Sequence, residues 1–131
     1  MFRSIILITF LAFAVVANIV TRKTGAFHEI DTNNKLLLSS LEQLERQMDN
    51  SMNSIIVHRI TKVLKAEGQI IAGIKYRVTF EFGETDCRKN DHRDIESCEY
   101  NGKKLICHAI IWQRLWQQPQ NRLIDFRCDS N

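Results

Sequence analysis

Cys87, Cys98, Cys107 and Cys128 are the residues of this chain whose type could carry covalent or metal chemistry, with His58, His92 or His108 available as a base. A cysteine thiolate beside an imidazole is a nucleophile, and four cysteines suffice for a zinc site. The spacing favours neither. There is no Cys-x-x-Cys pair, which is the usual zinc arrangement. An even count confined to the C-terminal third of a small chain argues instead for two disulfides in an oxidising compartment. A disulfide sulfur is no nucleophile, so neither an enzyme nor a bound metal or cofactor is expected. The residues alone leave all three pairings of four cysteines open.

Binding chemistry is a different matter. Gln69-Ile70-Ile71-Ala72-Gly73 is an uncharged, mostly apolar stretch set between two runs that alternate like strands. A turn that apolar lowers solubility unless it is core or binds something. Before it, Ile56, His58, Ile60, Lys62 and Leu64 alternate with Ile55, Val57, Arg59, Thr61 and Val63; after it, Ile74, Tyr76, Val78, Phe80 and Phe82 alternate with Lys75, Arg77, Thr79 and Glu81. The second run is the pattern of a strand with one buried face.

The elements that must hold this stretch can be read outward from it. Met1-Phe2-Arg3 and the apolar run from Ile5 to Val16 have the form of a signal peptide, with cleavage expected after Ala17. That run is shorter than the roughly 20 apolar residues of a membrane span. Removing residues 1 to 17 leaves 114 of 131, enough for one domain, 18–131, and too few for two. Asn18 to Gly25 lacks periodicity and reads as an arm. From Thr32 the pattern is helical, with Leu37, Leu41, Leu44 and Met48 on one face, Asp31 or Thr32 as N-cap, and Asn50 to Asn53 as the stop. Ile55 to Lys65 and Ile70 to Phe82 form one hairpin; Ile106 to Trp116 and Leu123 to Cys128 form a second, joined across Gln117 to Arg122. Trp112 reads as core, while the exposure of Trp116 depends on where that turn begins. One amphipathic helix needs an apolar surface to lie on, so the fold expected is α+β, a long helix packed on a four- or five-stranded antiparallel sheet.

Charge adds little. The full chain carries 18 Lys and Arg against 15 Asp and Glu, a weak balance that gives no reason to expect a nucleic acid or an anionic membrane as partner. No Asn-x-Ser/Thr sequon occurs.

Taken together in order, Gly25 before the helix, Gln69 to Gly73 at the first hairpin, two following cysteine pairs and Trp116 in the last turn make the mature chain resemble a secreted, two-disulfide (type 2) cystatin. The pentapeptide is similar to that family's Gln-x-Val-x-Gly loop, with Ile71 in place of valine. The resemblance implies the pairing Cys87–Cys98 and Cys107–Cys128. It also implies a monomeric, reversible inhibitor of papain-like cysteine proteases of the cathepsin type. Its arm at Gly25 and two loops, Gln69 to Gly73 and Leu115 with Trp116, would form a wedge occluding the active-site cleft.

Two departures bear on that implication. The family's second loop reads Pro-Trp, whereas here Leu115 precedes Trp116; and Arg22, Lys23 and Thr24 stand before Gly25 where bulky apolar residues are usual. The alternative is a cystatin-fold binding or signalling protein with weak or no papain-like inhibition. Asn53 and Ser54 occupy the place where some cystatins bind legumain, an asparaginyl endopeptidase, with Met52 in place of the family serine; the competing reading is an ordinary helix-stopping turn.

Overall fold

The computed structural model describes residues 26–130; the expected signal peptide, the arm after it and Gly25 lie outside the described residues. Within them, one α-helix, α1 (Lys35–Ser51), packs on a five-stranded antiparallel sheet. The strands are β1 (His28–Glu29), β2 (Ile56–Ile70), β3 (Ile74–Arg88), β4 (Tyr100–Gln113) and β5 (Asn121–Cys128), adjacent in chain order. Each strand therefore pairs with its neighbour in the chain, the helix lying between β1 and β2, and the expected α+β architecture is the one observed.

The stripe Leu37, Leu41, Leu44 and Met48 is buried, as its spacing requires, against Tyr76, Val78, Phe80 and Phe82 of β3 and Cys107, Ala109 and Ile111 of β4. Fully burying side chains of this size stabilises a fold by about 1.5–3 kcal/mol each. Phe80 and Phe82 meet edge to face, with ring centroids 5.6 Å apart.

The helix starts later than its periodicity predicts. Asn34, rather than Asp31 or Thr32, is the N-cap, its side-chain oxygen accepting from the amides of Leu36 and Leu37, both at 3.1 Å. Asp31 is spent on the preceding turn, where its carboxylate accepts from Asn33 N at 2.9 Å. At the other end Lys89 reaches across from the β3 side and donates to the carbonyls of Asp49 (2.7 Å) and Met52 (3.1 Å), placing a cation where the helix leaves acceptors unpaired.

β2 departs from simple alternation. Both Val57 and His58 are buried, and the register with β3 shifts between Ile56 and His58, Ile60 and Lys62, and Val63 and Lys65. Each irregularity resets the side-chain parity. Among the described residues, β1 covers the outer edge of β2 only at Glu67 and Gly68. Further along that edge the helix supplies acceptors instead: Asp49 Oδ1 takes His58 N and Glu45 Oε2 takes Ile60 N, both at 3.0 Å.

The disulfides are Cys87–Cys98 and Cys107–Cys128, the pairing that the resemblance implied. The first ties the end of β3 to the loop before β4, and the second joins β4 to β5 across a paired position.

Candidate functional site

The strand bounds alter the first loop. Pairing of β2 with β3 continues through Gln69↔Lys75 and Ile70↔Ile74, so Gln69 belongs to the strand and the turn proper is Ile71-Ala72-Gly73. β3 likewise runs beyond Phe82 to Arg88 and β2 beyond Lys65 to Ile70, correcting the shorter strands expected from alternation. Ile71 N donates to Gly73 O at 3.1 Å, and Gly73 sits at φ +93°, where a β-carbon would be strained. That carbon would also run into the carbonyl oxygen of Gln113 and lie 3.2 Å from both Trp112 Nε1 and Trp116 Cη2. Gly73 is thus the place where the two hairpins touch.

The second loop begins earlier than predicted, at Arg114, because β4 stops at Gln113 and β5 resumes at Asn121, directly opposite it. Leu115 and Trp116 are therefore off the strand, and Trp116 escapes the face it would share with Trp112. They are 58% and 64% exposed, beside Ile70 at 82% and Ile71 at 38%. Four large apolar side chains at the tips of two touching hairpins are open to solvent.

The stem of this second loop is built from polar residues that apolar periodicity does not mark. Tyr76 Oη donates to Gln113 Oε1 at 3.0 Å, Gln113 Nε2 donates to Ser40 Oγ at 2.9 Å, and Ser40 Oγ lies 2.7 Å from Asn121 Oδ1, with Asn121 Nδ2 donating to Gln43. Burial pushes the Tyr76 phenol up from its usual range, keeping it a donor. Both ends of the loop are so pinned to the helix. The available signal was a polar residue at a core position: Gln113 continues the inward set Cys107, Ala109 and Ile111, and Ser40 lies within the leucine stripe.

Arg114 and Trp112 complete the scaffold. Arg114 is 7% exposed; its guanidinium donates to Gln117 Oε1 at 2.9 Å and Pro119 O at 3.2 Å, and stands 4.6 Å from the Trp112 ring centroid. Trp112 is half-buried rather than core, and its Nε1–H donates to Ala72 O of the first loop at 2.9 Å.

The pairing of His28 with Gly68 directs the chain ahead of it, Ala26 and Phe27, towards the Gln69 end of β2. Phe27 lies 4.2 Å beneath the Arg77 guanidinium. Gly25 itself is outside the described residues. Asn53 and Ser54 are not brought to the loops; they precede Ile56, at the opposite end of β2, with Asn53 exposed and Ser54 Oγ accepting Ile56 N at 3.1 Å. His58, His92 and His108 have no thiol to serve, since all four sulfurs are in disulfides.

On the sheet's outer face, hydrogen bonds from Arg77 hold the Glu67 carboxyl below its usual range, and Lys104, 3.2 Å away, does the same for Glu81.

The four sulfurs are closed in disulfides, and the apolar tips of the two hairpins are turned outward. A family profile described as a cystatin domain matches residues 25–116. Cystatin-1 of Chilobrachys guangxiensis is 26% identical over 110 residues, 81% of each chain. L-cystatin of Tachypleus tridentatus is 34% identical over 82 residues, 60% of this chain and 61% of its own length. The crystal structure of dimeric human cystatin F is similar with a TM-score of 0.70 and 25% identity, over 85% of this chain and 91% of that one. Salivary cystatin of the soft tick Ornithodoros moubata shares the fold, with a TM-score of 0.67 and 21% identity over 82% of this chain and all of its own. The chain belongs to the cystatin family of cysteine protease inhibitors.

Proposed function

We propose that this protein is a secreted, monomeric, reversible inhibitor of papain-like cysteine proteases of the cathepsin type, with residues 1–17 as a cleaved signal peptide and 18–131 as the inhibitor. Gly25 with the arm, Gln69 to Gly73, and Leu115 with Trp116 fill the protease cleft and leave no peptide bond positioned for attack. The observation carrying this reading is the set of exposed apolar side chains Ile70, Ile71, Leu115 and Trp116 on two hairpins in contact at Gly73. Preformed tips lose little conformational entropy on docking, which favours tight binding from a modest area. Both disulfides fit an oxidising compartment. The test is to incubate the mature protein with active papain and dilute. Activity is expected to return slowly with the inhibitor intact. Cleavage of the inhibitor in step with inhibition would overturn the mechanism, and absence of inhibition would favour a cystatin-fold binding or signalling protein.

A second protease site is supported by one observation. Asn53 is exposed at the opposite end of β2 from the loops, so an asparaginyl endopeptidase of the legumain type could bind there without competing with papain. Loss of legumain inhibition in Asn53→Ala, with papain inhibition retained, is the expected result; unchanged legumain inhibition would remove Asn53 from the site.

A further inference from the structure

We propose that Arg114 is the positioning residue of the second loop, holding Leu115 and Trp116 from inside in place of the stiffness that a proline at position 115 would bring. The inference rests on the wedge reading above. Arg114 is buried, yet among the described residues no carboxylate stands at salt-bridge distance from it and its buried Nε has no hydrogen-bond partner. Placing a cation there is unfavourable compared with an apolar side chain of similar volume. What the guanidinium supplies is shape. One planar fork reaches Gln117 and Pro119, both beyond Trp116 in the loop, while its face lies over Trp112, whose own N–H fixes Ala72 in the first loop. The backbone of Arg114 adds two further ties, its N–H donating to Gln120 O at 2.6 Å and its carbonyl accepting from Gln117 N at 3.3 Å. The two loop tips are thereby linked through Arg114 and Trp112. A lysine cannot reproduce this, because it offers one compact charge and no planar fork.

The experiment is a cycle of Arg114→Met, Leu115→Pro and the double variant, each titrated against papain, with Arg114→Lys alongside. The Arg114→Met substitution is expected to weaken inhibition about tenfold with Leu at 115 but by less than about threefold with Pro at 115, since proline restores the order that was lost. The loss should fall on the association rate, because fewer molecules hold the competent loop at any moment. Lysine should not rescue. An equal loss in both backgrounds would overturn the idea. Nitrogen-15 relaxation of the Trp116 indole and the Leu115 amide provides a readout independent of any protease. Order parameters should drop in Arg114→Met, and by less in Gln117→Ala, an exposed change that removes one grip without threatening the fold. Unchanged order parameters would disprove Arg114's role whatever the inhibition data say. If they drop while the wild-type protein leaves papain active, loop positioning stands and the wedge reading is what fails.

Discussion

The first and second hairpin loops lie side by side, yet they are held by different means. In the first, the turn is three residues long and its shape comes from the backbone: paired strands run up to Ile70 and Ile74, and Gly73 takes a positive φ against the Gln113 carbonyl. In the second, seven residues separate β4 from β5, and side chains do the holding: Gln113 and Asn121 at the stem, Arg114 within. A backbone-shaped loop fails when one forbidden atom is added. A side-chain-shaped loop loses its form by degrees as contacts are removed.

That contrast predicts an order of effects. Gly73→Ala should be the most damaging, because strain at positive φ and the collision with Gln113 act together and displace the neighbouring loop too; inhibition of papain should weaken by about a hundredfold, or ~2.7 kcal/mol. If Gly73→Ala is harmless, the first loop is not backbone-shaped. Trp116→Ala comes next, at about thirtyfold or ~2 kcal/mol, since it removes a central aromatic without moving the first loop. Deleting residues 18–24 should weaken inhibition of an open-cleft endopeptidase less than Trp116→Ala does, because Arg22, Lys23 and Thr24 suit an apolar pocket poorly. The reverse ranking would shift the weight of binding from the loops to the arm.

The smallest effect is a control that touches neither loop. The Glu81 carboxyl titrates below its usual range chiefly because Lys104 hydrogen-bonds to it. A depressed carboxyl stabilises the fold above its unfolded pKa and ceases to do so as pH falls through the folded one. Glu81→Gln should therefore lower the melting temperature slightly at neutral pH, and the difference from wild type should vanish in acid below the ordinary glutamate range, with inhibition of papain unaltered. A difference that grows on acidification would mean that the Glu81 carboxyl is raised in the fold and not depressed.

The same contrast explains which features the residue pattern disclosed. The helix stripe and β3 as far as Phe82 each obey a single period, and the first loop is marked by an apolar run ending in glycine, so each was readable from local order. β2 was not, because its irregularities change the parity mid-strand. Neither was the scaffold of the second loop: Ser40, Gln113 and Asn121 lie up to 81 residues apart in sequence and meet only once the sheet and helix are assembled. The disulfide pairing needed the family resemblance, since spacing alone allowed all three choices.

Glu45 and Asp49, one turn apart on α1, occupy the outward amides of Ile60 and His58 along an edge where no described strand pairs. An incoming strand from a neighbouring molecule would meet donors already engaged and two carboxylates in its path, while β5, at the far edge, presents Arg122, Asp125 and Arg127. The element that closes the core thus also occupies donors that a further strand would need, and a helix detached from β2 would leave the amides of His58 and Ile60 open along that edge.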